Sequence, residues 1–370
     1  MASTKPPFKA DVVGSLLRPS EIHDARAKNL PVEGRWDIET AAVRDAVALQ
    51  KAAGLKVCTD GEFHRRHWFL DFLEKIEGVV VKGGMATRFH NEQGEIEFAP
   101  PRFEVHGRLK RTRGLAVEDF KGLLPIATSA GLMPKQPIPS PTIVHFRGGR
   151  AAIDKGVYAD LEPFLADLTQ VYREEIRDLY AAGCRYLQID ETNLPFLCDP
   201  KLRENTRQIG EDPAALPKLY VRLLNDVLVG KPADMTVCIH MCRGNHESSW
   251  MADGGYDPIA EEVFGSVNVD GFFLEYDSPR AGTFAPLRYL GKDKVAVLGL
   301  ITSKRPALES KGDIKRRIDE AAKLVPIERL ALSPQCGFAS TIGGNKLTVD
   351  DEKRKLELVV DIARDVWGTA

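Results

Sequence analysis

Three apolar segments of the sequence end in residues that could bind a metal together. The chain has only six cysteines and eight histidines, yet His240 and Cys242 stand two residues apart at the end of "TVCIHMC". Residues i and i+2 of an extended strand face the same side. Glu275 ends a second apolar segment in "FFLEYD", and Cys336 follows a third in "SPQCG". One histidine, two cysteines and one glutamate make a plausible tetrahedral zinc set.

The composition of this set indicates which chemistry a zinc ion would support. Two thiolates, a carboxylate and a neutral imidazole around Zn²⁺ would give the complex a net charge of about −1. Such an electron-rich zinc is a poor Lewis acid toward water, but it can hold a substrate thiol as a nucleophilic thiolate. Glu275 is the ligand that an incoming thiol would displace most easily. The competing interpretation is structural, because a histidine beside a cysteine on a strand is often ordinary core packing.

Further polar residues stand at the predicted ends of other strands. Glu62 and Asp190 are carboxylates in such positions, and two of them at one rim could bind an ammonium group through charge-assisted hydrogen bonds. Ser15 and its neighbouring backbone groups could hold a carboxylate. Together these residues would bind an amino acid with a thiol side chain. The alternative for each single carboxylate is a helix cap or a salt bridge.

Composition excludes several classes of protein. The chain has 370 residues, 43% hydrophobic and 28% charged, with a net charge of −2. This balance gives no general attraction to nucleic acid or to anionic membranes. The basic clusters "HRRH" and "LKRTR" are typical of solvated surface or of small-anion contacts. No apolar run approaches the roughly 20 residues of a membrane span, and the N-terminus lacks a signal-peptide core, so a cytoplasmic location is expected. We assign Cys58, Cys184, Cys198 and Cys238 to packing.

The order of elements predicts the fold. Eight apolar or β-branched runs alternate with amphipathic helical patterns, which favours a single (β/α)8 TIM barrel over a doubly wound open sheet. In such a barrel the working residues lie at the C-terminal ends of the strands. The predicted strands are 11–16, 56–62, 137–144, 185–191, 235–241, 271–277, 294–300 and 329–335. The predicted helices are 38–53, 161–182, 213–229, 259–264, 314–324 and 350–366.

One segment interrupts the alternation of strands and helices. Residues 78–110 contain "GVVVKG" and "RFEVHGRL" with "NEQGE" between them. This pattern predicts a β-hairpin inserted after the second strand. No domain boundary is indicated, so residues 1–370 are expected to form one barrel domain.

Several motifs resemble a known family. The segments "LQIDE", "HMCRGN", "FFLEYDS" and "SPQCGFAS" resemble the catalytic barrel of cobalamin-independent methionine synthase. The segments "DVVGSLLRP" and "CTDGEFHRRHWFLDFLE" resemble the short, single-barrel branch of that family. The resemblance covers the chain from about Asp11 to the C-terminus.

The resemblance implies a zinc enzyme that transfers a methyl group to the sulfur of homocysteine, commonly from a methylated folate. It places His240, Cys242, Glu275 and Cys336 on the family's zinc ligands. Ser15 falls in the segment that contacts the amino-acid carboxylate, and Glu62 and Asp190 fall on the residues that hold the amino group. Phe146 falls near the aromatic residue that stacks on the folate ring.

The sequence also departs from this family. Full-length synthases have a second, N-terminal barrel that helps to bind folate, and this chain has no room for one. The strand-seven motif of the family carries a histidine that serves as proton donor, whereas "VLGLITSKRP" contains none. A family glutamate falls near Phe196. The part of the family's site that activates the thiol is therefore retained in this sequence, whereas the part that binds the methyl donor is altered. The catalytic acid is unknown.

These observations lead to one hypothesis with two alternatives. We expect a zinc-dependent S-methyltransferase that acts on homocysteine with methyltetrahydrofolate or a related donor. An amine-bound methyl group requires a general acid at the leaving nitrogen, for which His145, His246 and Lys304 are candidates. The first alternative is an alkyltransferase acting on another thiol or with a non-folate donor. The second is a non-catalytic barrel that binds zinc or a thiol. The expected partners are small molecules, with a homo-oligomer possible and no nucleic acid or membrane.

Overall fold

A parallel six-stranded sheet forms the centre of the computed structural model, which describes residues 5–84 and 87–370. Its strands lie side by side in the order β7, β8, β9, β10, β11, β12. The strands of the described chain are β1 (Val57–Cys58), β2 (Glu77–Lys82), β3 (Thr87–Asn91), β4 (Gly94–Phe98), β5 (Arg102–Lys110), β6 (Met133–Pro134), β7 (Gln136–Pro139), β8 (Tyr186–Glu191), β9 (Thr236–Met241), β10 (Gly271–Glu275), β11 (Val295–Ile301) and β12 (Leu330–Pro334).

The first two segments of the chain complete a (β/α)8 barrel. Strand β1 pairs in parallel with β6, which continues into β7. The N-terminal segment hydrogen bonds on one side to β12, through Asp11 N to Leu332 O at 3.0 Å. On its other side, Leu16 N donates to Gly61 O at 3.1 Å, just beyond β1. These contacts connect the N-terminal segment to β12 on one side and to the residues after β1 on the other, which is the arrangement of a (β/α)8 barrel.

Helices cover the outside of the barrel. Helix α6 buries Phe164, Leu168 and Ile176, which recur at helical spacing, against the sheet. Helix α12 begins with a capping box between Thr348 and Asp351. The helices are α1 (Ser20–Ala27), α2 (Val32–Ala52), α3 (Leu70–Leu73), α4 (Val117–Ala130), α5 (Thr142–Phe146), α6 (Leu161–Ala181), α7 (Asn193–Phe196), α8 (Pro200–Gln208), α9 (Leu216–Leu228), α10 (Ala260–Ser266), α11 (Lys311–Ala322) and α12 (Val349–Trp367).

The predicted barrel is confirmed, but three of its strands differ from the prediction. The first, predicted over 11–16, forms a single bridge between Ala10 and Leu332 rather than a regular strand. The second, predicted over 56–62, is limited to Val57–Cys58. The third, predicted over 137–144, ends at Pro139, and Thr142–Phe146 forms α5. Proline has no backbone N–H to donate to a ladder, so Pro139 and Pro141 limit the strand there. Helix α4 was not predicted.

The interruption at residues 78–110 folds as two antiparallel pairs. Strand β2 pairs with β5, and β3 pairs with β4 at the far end. The far pair lies on the loop after β9: His90 and Trp250 exchange backbone hydrogen bonds at 2.7 and 2.8 Å. Asn91 Nδ2 also donates to Ser249 Oγ at 2.9 Å. This inserted hairpin therefore reaches over the C-terminal end of the barrel. That residues 1–370 form one domain stays a prediction.

A buried ion pair lies inside the barrel. Lys135 Nζ is 3.2 Å from Asp11 Oδ1, and both side chains are inaccessible to solvent. Tyr186 donates its hydroxyl to Asp11 Oδ2 at 2.8 Å, and the Lys135 ammonium lies 3.8 Å from the centre of the Phe273 ring. These contacts join the N-terminal segment to the third and fourth strands. They matter because this segment, the first strand of the barrel, has little backbone pairing of its own.

No helix of the described chain is both long and apolar enough to cross a lipid bilayer. The cytoplasmic location stays a prediction.

We predict that the buried ion pair of Lys135 and Asp11 is required for stability. Lys135→Met leaves the Asp11 carboxylate buried without its counter-ion, and we expect the free energy of unfolding to fall by about 3–5 kcal/mol. Urea unfolding followed by circular dichroism measures the change. The control is Lys311→Met, which breaks the exposed pair with Asp361 and should cost less than about 1 kcal/mol. A loss as small as the control's would contradict the prediction.

Candidate metal and substrate site

Parallel register brings the predicted site residues to one end of the barrel. Asp190 of β8 lies directly beside His240 of β9, and His240 lies beside Phe273 of β10. The chain then continues into a loop in which Cys242 N donates to Glu191 O at 3.0 Å. Because all these strands run in the same direction, their C-terminal residues meet at the same rim.

Three predicted metal ligands converge at this rim. One ligand atom each from His240, Cys242 and Cys336 lies within 4.8 Å of the others, and all three residues are buried. The two sulfur atoms are 3.4 Å apart. Neither ring nitrogen of His240 has a hydrogen-bond partner among the described residues, although the side chain is only 3% exposed. A buried imidazole without partners, beside two sulfurs, is a group that could hold a metal ion.

Contact between Cys242 and Cys336 shifts their pKa values in opposite directions. Contact with Cys242 holds the pKa of Cys336 well below its usual range, and His240 adds to this effect. The same contact, together with burial, raises the pKa of Cys242 well above its usual value. Metal binding requires the thiolate form of cysteine, and the two sulfurs lie close enough to bind one ion.

Glu275 lies outside this group of three and is paired with basic residues. Its Oε1 contacts Arg280 and lies 3.5 Å from Lys304 Nζ, while Oε2 accepts the backbone N–H of Arg243 at 2.8 Å. Burial alone would raise the pKa of Glu275, but the charges of Arg280 and Lys304 outweigh it and hold that pKa below its ordinary value. Glu275 as a metal ligand stays a prediction.

Glu62 and Asp190 are buried carboxylates at the same rim. Burial raises the pKa of Glu62 to about 8, although Arg65 opposes the shift. Burial likewise raises the pKa of Asp190 to about 6, against the effect of His240. Glu62 also has a left-handed backbone with φ of 59°, a conformation that costs energy for a residue with a side chain. Two carboxyl groups with raised pKa values, one on a strained backbone, are typical of a ligand-binding site.

Ser15 is held by the loop that follows Cys336. Its Oγ accepts the Ala339 N–H at 3.2 Å, and its carbonyl accepts the Phe338 N–H at 2.8 Å. Gly337 passes so close that a Cβ there would lie 2.0 Å from Ser15 Oγ. A cavity of about 40 Å³ connects these parts. Its lining includes Ser15, Glu62, Asp190, His240, Cys242 and Cys336.

A larger cavity of about 210 Å³ adjoins the small one. The two share the lining residues Trp68, Thr192, Gly244 and Asn245. Phe146 and Phe196 lie on the barrel side of the larger cavity, and the inserted hairpin supplies Phe89 and Phe98 opposite them. The predicted donor-binding residue Phe146 therefore lines an aromatic cavity next to the His/Cys group.

Several residues near the site were missed by the sequence analysis. The basic cluster 64–67 was expected at the solvated surface, yet Arg65 is buried, with Nη1 3.5 Å from Glu62 Oε2. Arg18 is also buried and donates to the carbonyls of Glu62, Arg65, Ala339 and Thr341. Arg280 was not considered. The pairing of Arg65 with Glu62 could have been predicted, because Arg65 follows that strand-end carboxylate by three positions. No such signal was available for Arg18.

The fold and the group of His240, Cys242 and Cys336 identify this protein as a (β/α)8 barrel with a candidate metal site at its C-terminal rim. Residues 140–365 match the family described as "Cobalamin-independent synthase, Catalytic domain". The chain is 45% identical to the uncharacterized protein YxjH of Bacillus subtilis, over 98% of this chain and 96% of that one. A crystal structure of the putative vitamin-B12 independent methionine synthase from Listeria monocytogenes has 36% identity and a TM-score of 0.75, covering 99% and 100% of the two chains. Methionine synthase of Pyrococcus abyssi is 24% identical, over 80% of this chain and 76% of its own.

The chain belongs to the cobalamin-independent methionine synthase family, as its motifs indicated.

We predict that Gly337 is needed because Ser15 occupies the space of a side chain. Gly337→Ala should lower the free energy of unfolding by about 1–3 kcal/mol through overlap with Ser15. Adding Ser15→Ala to the same chain removes the nearest atom and should recover part of the loss. Gly83→Ala, where a Cβ would meet no atom within 4 Å, is the control and should be near neutral. Additive effects of the two rim substitutions in urea unfolding would argue against this contact.

Proposed function

We propose that this protein is a zinc-dependent methyltransferase that transfers a methyl group to the thiol of homocysteine to give methionine. The observation that carries the proposal is the convergence of His240, Cys242 and Cys336 beside a cavity lined by Ser15, Glu62 and Asp190. One imidazole and two sulfurs suit zinc, and three protein ligands leave a position for a substrate. When bound, zinc supplies a site at which a thiol loses its proton and stays nucleophilic.

The residues around the small cavity would orient the amino acid. The charged forms of Glu62 and Asp190 would accept hydrogen bonds from the ammonium group, and the bound ammonium would stabilise those charged forms. Ser15 and the backbone of the loop after Cys336 would hold the carboxylate. With both ends of the amino acid fixed, its side-chain thiol would extend toward the three ligands.

Glu275 has a role that fits its surroundings in this proposal. We propose that its carboxylate can be the fourth zinc ligand when no thiol is bound. Arg280 and Lys304, which it contacts, would receive the carboxylate when a substrate sulfur replaces it. The charges of these two residues lower the pKa of Glu275, so its carboxylate would be ionised, as a metal ligand must be.

The larger cavity supports a flat, anionic methyl donor, of which methyltetrahydrofolate is an example. Its aromatic side chains would stack on a ring system. Arg147 lines it as well, and burial lowers the pKa of Arg147 to about 10, with no acidic side chain of the described chain paired with it. Such a guanidinium suits a carboxylate of the donor. The inserted hairpin closes one side of this cavity. Its cover favours a small donor over one carried on another protein.

We predict one tightly bound zinc ion per chain, lost when a sulfur ligand is removed. Cys242→Ser and Cys336→Ser should each reduce the zinc content by at least tenfold under dilute chelator, because serine is a poor zinc ligand. Cys184→Ser, at a buried cysteine that precedes the N-terminal end of β8 and so lies away from the rim, should retain full zinc. Metal analysis of the purified proteins measures this. Equal zinc in all four proteins, or none in the wild type, would refute the proposed centre.

We predict that amino-acid affinity rises with pH. Burial raises the pKa of Asp190 to about 6 and that of Glu62 to about 8, and only the charged forms of these residues attract an ammonium group strongly. Methionine binding, which involves no thiol ionisation, should therefore tighten between those values. Glu62→Gln should weaken binding by about 10- to 100-fold and remove the upper part of the pH dependence, while zinc content stays unchanged. Calorimetry at several pH values tests this, and a pH-independent wild-type affinity would count against the assigned roles.

A further inference from the structure

The donor cavity contains one side chain that could give up a proton near neutral pH. Among the described residues that line it, His246 has the only imidazole, and no aspartate, glutamate, lysine, cysteine or tyrosine is present. His145 lies outside the cavity, with Nδ1 2.9 Å from the Tyr220 hydroxyl and Nε2 3.5 Å from Glu211. Lys304 lines a separate cleft and contacts Glu275. Of the three histidine and lysine candidates from the sequence, only His246 therefore faces the aromatic cavity.

The ring of His246 is held in a fixed orientation. Phe98 of the inserted hairpin stacks on it with ring centres 4.0 Å apart and 20° between planes, and Phe89 packs against it edge-on at 5.5 Å. Thr341 Oγ1 lies 3.1 Å from Nδ1. No hydrogen bond within the described chain engages Nε2. In the protonated ring, Nδ1–H donates to the Thr341 hydroxyl, and the second ring proton is on Nε2, which has no hydrogen-bond partner among the described residues.

His246 also lies where the two cavities meet. Its neighbour Asn245 lines both cavities and donates to the carbonyl of Gly337 at 2.8 Å, next to Cys336. Its partner Thr341 follows Ser340, which lines the small cavity. The hydrogen-bonded pair is therefore one residue away from the thiol-binding cavity along both chain segments. A methyl group in transit between a donor and a thiol would have to pass this junction.

We propose that His246 is the proton donor to the leaving nitrogen of an N-methyl donor bound in the larger cavity. This inference rests on the proposed methyl transfer. The substrate thiolate forms the new S–C bond as the C–N bond of the donor breaks, and the electron pair of that bond goes to nitrogen. The nitrogen takes the proton from His246 Nε2 and leaves as a secondary amine, and His246 regains its proton from water. Without this proton the leaving group would be a strongly basic amide anion.

The groups around His246 define the expected pH dependence. Burial lowers the pKa of His246, and Glu247 on its own loop opposes that shift. His67 faces it from the loop after β1, where burial lowers the pKa of His67 to about 4 and leaves that neighbour neutral at pH 7. The hairpin packs Phe89 and Phe98 against the ring, and its Arg102 lines the same cavity. Since the reaction requires the protonated ring, the rate with an amine donor should fall as pH rises through the lowered pKa of His246.

The test compares His246→Asn and His246→Gln with the wild-type zinc enzyme, using homocysteine and methyltetrahydrofolate. We expect kcat to fall by about 10²- to 10⁴-fold and KM for the donor to change much less. The decrease of the rate with rising pH should also disappear. Thr341→Val, which removes only the hydroxyl at Nδ1, should lower kcat by about tenfold with that decrease retained. His106→Asn, at an exposed histidine of the same hairpin, is the control and should match the wild type.

Zinc content and methionine affinity are measured on every variant, because a folded thiol site shows that a loss of kcat is not a loss of structure. Variants that retain wild-type kcat and pH profile would overturn the role of His246 and leave the proposed function intact. A KM increase with unchanged kcat would also overturn it, since it would show that the ring only binds the donor. A wild-type enzyme that binds zinc and methionine but transfers no methyl group from any donor would refute the proposed function itself.

Discussion

The register of three parallel strands is the constraint on which the rest of the site depends. Asp190 lies beside His240, and β10 is aligned with β9 so that Glu275 follows just beyond their paired residues. Because side chains alternate along a strand, a shift of one residue would turn His240 away from Cys336 and Asp190 away from the cavity. The buried pair of Lys135 and Asp11 inside the barrel fixes the first strand, which has little backbone pairing, against the same set of strands. Site geometry and barrel stability therefore have a common origin.

Charge is distributed unequally over the rim. Glu275 is surrounded by Arg280, Lys304 and the Arg243 N–H, so it stays ionised although it is fully buried. Glu62 and Asp190 have less compensation, and burial raises their pKa values. The first arrangement suits a carboxylate that changes partners without changing charge, and the second suits carboxyl groups that await a cationic ligand. Burial is similar in both cases, and the neighbouring guanidinium and ammonium groups make the difference.

The inserted hairpin connects the aromatic cavity to the loop that carries Cys242. It contributes Phe89 and Phe98 to the larger cavity and stacks Phe98 on His246, which belongs to the loop that begins with Cys242. Its backbone pairs with Trp250 of that same loop. A single loop thus carries a candidate metal ligand at one end and the contact with the hairpin at the other. Binding in the aromatic cavity and order in the loop around Cys242 should for this reason be coupled.

The sequence by itself determined the barrel and the residue types at its rim. Alternating apolar runs and helical patterns specify a (β/α)8 order, since each run must bury both faces, and strand ends must then carry the polar residues. The spacing of His240 and Cys242 and the position of Cys336 after an apolar run predicted a metal site, with ordinary core packing as the alternative. The family motifs in "LQIDE" and "SPQCG" pointed to the same rim.

Tertiary structure alone decided the partners of those residues. The pairing of Glu275 with Arg280 and Lys304, the burial of Arg65 under Glu62, and the contact of Phe98 with His246 join segments that are separated by loops of irregular geometry. Periodicity carries no information about where such loops turn or which side chains they bring together. It can predict which strand end a residue occupies, because strand direction is shared by the whole sheet. The path of a loop depends instead on local contacts that form only when the barrel is complete.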